Sequence, residues 1–194
     1  EVVMNFNSIL QAGGKAVTIG SLSTNGGNGP FLGNTGTMGS TTNGGTEIIE
    51  NAASVMGTLT ISQSTPQSFE AAWDALFRDG VPNSQFFAPG VNSHLTGGSL
   101  NLVKDGAGWA VLTQDNDYTG TTVVNNGVLQ VGRGGVGDTG GINALGTTVK
   151  SGARLAGTGW VQGGGAVTAL TVQSGAMVTP GDMAGREIGT LNVS

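Results

Sequence analysis

One short phrase is written four times along this chain. A β-branched residue is followed three positions later by Gly, with Asp, Asn or Ser immediately before that Gly. The copies are Val103-Lys104-Asp105-Gly106, Val124-Asn125-Asn126-Gly127, Val149-Lys150-Ser151-Gly152 and Val172-Gln173-Ser174-Gly175, and their glycines lie 21, 25 and 23 residues apart. A period of that length is the mark of a solenoid, in which each repeat is one coil that buries its apolar face only by stacking on its neighbour.

The phrase also has a local meaning. Glycine enters left-handed backbone dihedrals without a Cβ clash, and Asn and Asp tolerate them. Gly106, Gly127, Gly152 and Gly175 are therefore expected at structural corners, with Asp105, Asn126, Ser151 and Ser174 just before them. Val124, Val149 and Val172 are expected at matching inward positions, stacked as an apolar ladder.

Composition narrows the class. Gly supplies 37 of 194 residues and charged residues only 10%, against usual shares of about 7% and 25%. The glycines gather in turns between short β-rich runs, without the strict third-position period of collagen. The seven basic residues, Lys15, Arg78, Lys104, Arg133, Lys150, Arg154 and Arg186, form no run, and the net charge is -5. That lacks the electrostatic footprint of a nucleic-acid or anionic-membrane binder. The chain contains no Cys, which is compatible with passage across a periplasm unfolded. The opening Glu1-Val2-Val3-Met4 lacks the basic and apolar regions of a secretory leader, so the chain is expected to be the mature part of something longer. No apolar run is long enough for a membrane-spanning helix.

Three segments follow. Residues 1–66 carry short strand-like runs (Val2–Phe6, Ala16–Ile19, Glu47–Glu50, Thr58–Ile61) separated by Gly/Asn/Thr tracts. Residues 67–98 form an aromatic-rich insertion or loop, holding five of the nine Phe and Trp residues. Phe69, Ala72, Trp73, Leu76 and Phe77 fit a helical stripe, whereas Phe69, Ala71, Trp73, Ala75 and Phe77 fit strand alternation, and both remain open. Residues 99–194 hold the clearest repeat, with strands expected at Leu100–Val103, Trp109–Thr113, Thr121–Val124, Val128–Val131, Thr147–Val149, Leu170–Val172, Met177–Thr179 and Thr190–Val193. No helix-length crossover separates them, so a doubly wound fold is out. An all-β chain remains, either a parallel β-helix or an antiparallel sandwich with a hairpin at Asn126-Gly127. The repeat period favours the stacked coil.

The residues that carry a family resemblance lie in this third segment. The run Leu102-Val103-Lys104-Asp105-Gly106-Ala107-Gly108-Trp109-Ala110-Val111-Leu112, then Asn116-Asp117-Tyr118-Thr119-Gly120, Thr122-Val123-Val124 and Gly127-Val128-Leu129-Gln130-Val131 resembles the passenger-associated transport repeat of autotransporter (type V secretion) passengers. Trp109 stands where Thr is usual, and Thr121 where a second Gly is usual. Leu155-Ala156-Gly157-Thr158-Gly159-Trp160-Val161, Ser174–Gly181 and Ile188–Val193 resemble the passenger's C-terminal, autochaperone-like rungs, with a bulged corner expected between Asp182 and Glu187. The resemblance implies a right-handed parallel β-helix displayed at the bacterial cell surface. It further implies export through a C-terminal β-barrel translocator, which this chain does not contain.

Candidate chemistry is sparse. His94 is the lone histidine, with Ser93 adjacent and Asp79 nearby, but no Gly-x-Ser-x-Gly elbow accompanies it; it reads as a loop histidine. Asp115 and Asp117 flanking Asn116, and the run Gly134-Gly135-Val136-Gly137-Asp138, touch on calcium-site patterns without completing one. No catalytic, cofactor or metal residue is assigned, and no cofactor or small-molecule substrate is expected. Phe69, Trp73 and Phe77 are candidates for a partner-contact patch. The expected function is a non-catalytic extracellular scaffold that aids passenger folding and display. The alternatives are an adhesin or self-associating fibre subunit, with another copy as partner, and the stalk of an enzyme passenger.

Overall fold

The computed structural model describes residues 1–5, 9–25, 48–51, 53–64, 76–79, 98–116, 118–132, 140–163, 169–181 and 189–194. Phe69, Trp73, His94, Asp117 and Gly134–Asp138 lie outside these residues, as do the fuller bounds of the 67–98 segment. Among the described residues every regular element is a strand, and the strands named here pair in parallel throughout.

The chain visits three walls in turn. The first coil is β1 (Val2–Asn5), β2 (Ile9–Gln11) and β3 (Ala16–Ile19), and the second is β4 (Leu22–Asn25), β5 (Ile48–Asn51) and β6 (Gly57–Ser62). The third contributes β7 (Leu76–Asp79) and β8 (Leu100–Asp105). Next come β9 (Trp109–Leu112), β10 (Asp115–Asn116) and β11 (Thr121–Val124), then β12 (Val128–Val131), β13 (Gly141–Ala144) and β14 (Gly146–Val149). The sixth coil is β15 (Arg154–Gly157), β16 (Trp160–Gly163) and β17 (Leu170–Val172), followed by β18 (Met177–Pro180) and β19 (Asn192–Val193). This is a parallel β-helix. The sandwich is excluded, because Asn126-Gly127 joins two different walls and not two paired strands.

The third wall is the continuous one. Its six strands run in the order β17-β14-β11-β8-β6-β3. Val17, Leu59, Leu102, Thr122, Thr147 and Leu170 stand in one register column, and Ile19, Ile61, Lys104, Val124, Val149 and Val172 in the next. Alternation along β6 and β8 turns these columns inward and leaves Thr60 and Val103 half-exposed. Each buried Leu, Ile or Val stabilises by about 1.5–3 kcal/mol. An isolated coil has no such burial, so the stack as a whole is what folds.

The expected valine ladder is present: Val124 pairs with Val149 and Val149 with Val172. Val124 and Val149 are fully buried, whereas Val172 is 45% exposed on the last strand of the wall. The first copy of the phrase departs from the expectation. Val103 pairs with Val123, and Lys104 takes the inward position opposite Val124. The difference lies in where the left-handed glycine sits in the corner: Gly106 is the second residue after the inward Lys104, whereas Gly127 and Gly152 are the third after the inward Val124 and Val149.

The aromatic segment is corrected in part. Residues 76–79 are not an insertion but a strand of the second wall, β7, paired with β5. Phe77 stands opposite Ile49 and is fully buried, so it serves as core and not as a partner-contact residue. The first wall is covered on both faces along β9, β12 and β15: Ala110, Leu129 and Leu155 are buried, and so are the alternate residues Val111, Gln130 and Ala156. Parallel strands packed this way read as continuous apolar runs.

Candidate functional site: the buried polar ties between coils

The polar side chains that the fold gathers sit inside it, at the corners. Lys104 is fully buried at its position in the third-wall column. Its ammonium donates to the backbone carbonyls of Asp105 at 2.8 Å, Gly106 at 2.9 Å and Asn126 at 3.1 Å. An ammonium has three N–H bonds, and all are used. Two go to its own corner and one to the corner of the next coil, so the side chain is a covalently anchored cation tying two turns together. Burial pulls its pKa down from 10.5 to about 8, and the neighbouring Asp105 carboxylate opposes part of that fall.

A second set lies where the second wall turns into the third. Asn51 and Asp79 stand in register on β5 and β7, and both are buried. Asn51 accepts from the Gly14 N–H at 2.7 Å and donates to the carbonyls of Val55, Gly98 and Ser99. The Asp79 carboxylate accepts from the backbone N–H of Leu100 at 2.8 Å and of Thr119 at 3.1 Å, and from the Thr119 hydroxyl. Asn116 repeats the pattern one coil later. It accepts from the Phe77 N–H at 2.9 Å and donates to the carbonyls of Gln114 at 2.8 Å and Gly141 at 2.9 Å. Each side chain stands in for backbone ladder bonds at corners where the strands part. A buried N–H or C=O left unpaired costs about 1–3 kcal/mol.

Tyr118 completes the interior. It is fully buried, its hydroxyl is paired with that of Thr122, and burial pushes its pKa well above the ordinary phenol value. On the second wall Glu50 holds Gln11 and Arg78, the latter through Nε and Nη2 both at 2.9 Å.

The corner glycines have the dihedrals their position requires. Gly106, Gly127, Gly152 and Gly175 have φ of 75°, 67°, 81° and 80°. Gly127 carries a further constraint, since a Cβ there would strike the carbonyls of Gly108 and Gly106 on the coil below.

The sequence places Lys104, Asn116 and Tyr118 in the repeat resemblance, and Asn116 also in an acidic trio, but does not show that they, Asn51 and Asp79 act as ties between coils. Of that trio, Asp115 is exposed while Asn116 is committed to backbone. Among the described residues no cluster of three or more His, Asp or Glu could hold a metal ion. The signal that could have found the ties was the spacing Lys104–Asn116–Tyr118 within a single coil.

No curated protein and no solved structure matches the chain. A family model does match at residues 102–131, the passenger-associated-transport-repeat. The matched stretch runs from β8 round the walls to β12, one full turn of the helix and the first strand of the next, and contains Lys104, Asn116, Tyr118 and Gly127. This chain thus carries, as one coil of a parallel β-helix, a passenger-associated-transport-repeat of the kind found in autotransporter passenger domains.

Proposed function

We propose that the chain is a non-catalytic scaffold within an autotransporter-like passenger, displayed at the cell surface, whose repeat-bearing coils help the passenger fold during secretion. One observation carries this reading. Within the matched coil, Lys104, Asn116, Tyr118 and Thr122 direct their polar atoms to backbone or to one another. Side chains that tie this coil to the coils on either side make the repeat-bearing stack a template, and N–H and C=O groups along its growing edge can guide the next strand into place. Joining the passenger to a translocating β-barrel and deleting residues 98–194 tests it. Loss of folded passenger at the surface is expected; undiminished secretion and folding would defeat the folding role.

A second reading is self-association of the surface element. On the strands β17, β18 and β19, Val172, Met177, Val178 and Val193 are 36–47% exposed. Among the described strands, each of the three has one paired neighbour. Such edges accept another strand. Light scattering across a concentration series separates the readings, because a species that stays monomeric rules out the fibre.

A further inference from the structure

We infer that Asn126-Gly127 is a site of spontaneous backbone modification, at which Lys104 assists closure of the Asn126 side chain onto the Gly127 nitrogen. Four observations converge. Asn126 is exposed at the tip of the corner between β11 and β12. The Gly127 N–H donates to Asn126 Oδ1 at 2.8 Å, and among the described residues it makes no backbone ladder bond. The Asn126 Cγ is one carbonyl bond, about 1.2 Å, from that oxygen, so the side-chain amide is held folded back over the nitrogen that must attack it. Finally, the Lys104 ammonium donates to the Asn126 carbonyl at 3.1 Å. That carbonyl belongs to the very peptide whose nitrogen must act.

The chemistry follows from this arrangement. Loss of the Gly127 N–H proton places negative charge on the Asn126–Gly127 amide, shared between N and O. An ammonium fixed on that oxygen, buried and poorly screened, stabilises the charge as it develops. The Gly127 nitrogen then bonds to Asn126 Cγ, the Cγ–Nδ2 bond breaks, and Nδ2 leaves as ammonia, taking up a proton in place of the one lost from Gly127. The five-membered imide that remains is opened by water at one of its two carbonyl–nitrogen bonds, giving aspartate or isoaspartate at position 126. The balance is one water in and one ammonia out.

The corner also holds the reacting groups still. The Asn125 N–H donates to the Lys104 carbonyl at 2.9 Å, and the Gly127 carbonyl accepts from Arg154 N–H at 2.9 Å. Gly127 has no side chain to obstruct the approach. Pre-alignment of this kind replaces a conformational search that an unfolded chain must make. The isoaspartate product would lengthen the backbone by one methylene in a corner where coils already touch, and either product would add a negative charge at the surface.

The test is peptide mapping by mass spectrometry, with isoaspartate detection, of the folded chain incubated at neutral pH and of the same chain in denaturant. Conversion at Asn126 is expected to be several-fold faster in the folded chain. An equal or slower rate there would overturn the proposal. In Lys104→Met, if it folds, conversion at Asn126 should slow about tenfold, as expected for loss of one charge-bearing donor from the developing negative charge; an unchanged rate would remove Lys104 from the reaction. If that variant does not fold, the comparison of folded and denatured wild type still decides the question. Asn126→Gln should abolish the product.

Discussion

Lys104 and Val124 occupy the same inward position on adjacent strands of the third wall, a buried cation stacked directly against a buried valine. The column tolerates the lysine because its alkyl stem packs as an aliphatic side chain while the ammonium reaches the corner carbonyls. The arrangement has a pH signature. The folded-state pKa is lowered to about 8, below the ordinary 10.5. Between those values the unfolded chain holds a proton that the folded chain has released, so stability rises with pH across that window. Below about 8 both states are protonated and the contribution is constant. Chemical denaturation from pH 7 to 11 should show this rise in wild type and its loss in Lys104→Met; parallel profiles would show that Lys104 titrates normally.

Gly127 and Gly152 share a positive φ but not a neighbourhood. A Cβ at Gly127 meets the carbonyls of Gly108 and Gly106, whereas a Cβ at Gly152 meets nothing within 4 Å. Gly127→Val should cost about 2–4 kcal/mol, dihedral strain and steric overlap acting together. Gly152→Ala should cost only the dihedral part, about 1 kcal/mol. Equal losses in thermal melts would mean that strain alone governs both corners.

The repeat was legible because glycine and the residue before it answer to local backbone sterics, which sequence displays directly. The register of its first copy was not. Whether Val103 or Lys104 faces inward turns on whether the corner glycine is the second or the third residue after the inward one, and only the pairing with Thr122–Val124 reveals it. In the sequence Lys104 is one of seven basic residues that form no run and one residue of the repeat resemblance, and neither fact shows that it reaches carbonyls on the next coil. Phe77 misled for the opposite reason. Its aromatic neighbourhood suggested a patch, yet its partner Ile49 lies 28 residues earlier in sequence and on a different coil. The polar ties at Asn51, Asp79 and Asn116 reach backbone groups far along the chain, so their role follows from stacking and not from any local pattern.

Asp79 is the acid among those ties, 2% exposed and engaged with Leu100 and Thr119. Asp79→Ala leaves two backbone N–H groups and one hydroxyl without their acceptor. The expected loss is about 2–4 kcal/mol. Hydrogen exchange at the Leu100 and Thr119 amides should accelerate beyond the change at distant amides such as those of β15; uniform acceleration would place the effect elsewhere.

Thr122 and Thr147 stand in register on adjacent strands, both buried, yet their hydroxyls have opposite circumstances. Thr122 is paired with the Tyr118 hydroxyl, while Thr147 Oγ1 is buried without a hydrogen-bond partner. Replacing each by valine keeps the branched shape and strand preference and removes only the hydroxyl. Thr122→Val strands the buried Tyr118 hydroxyl and should destabilise by about 1–2 kcal/mol. Thr147→Val discards an unsatisfied polar atom in favour of a methyl and should stabilise by about 0.5–1.5 kcal/mol. The two substitutions should therefore shift the melting temperature in opposite directions. A destabilised Thr147→Val would mean that its hydroxyl is satisfied by a bound water, and the interior of the coil would then have to be regarded as wet at that level.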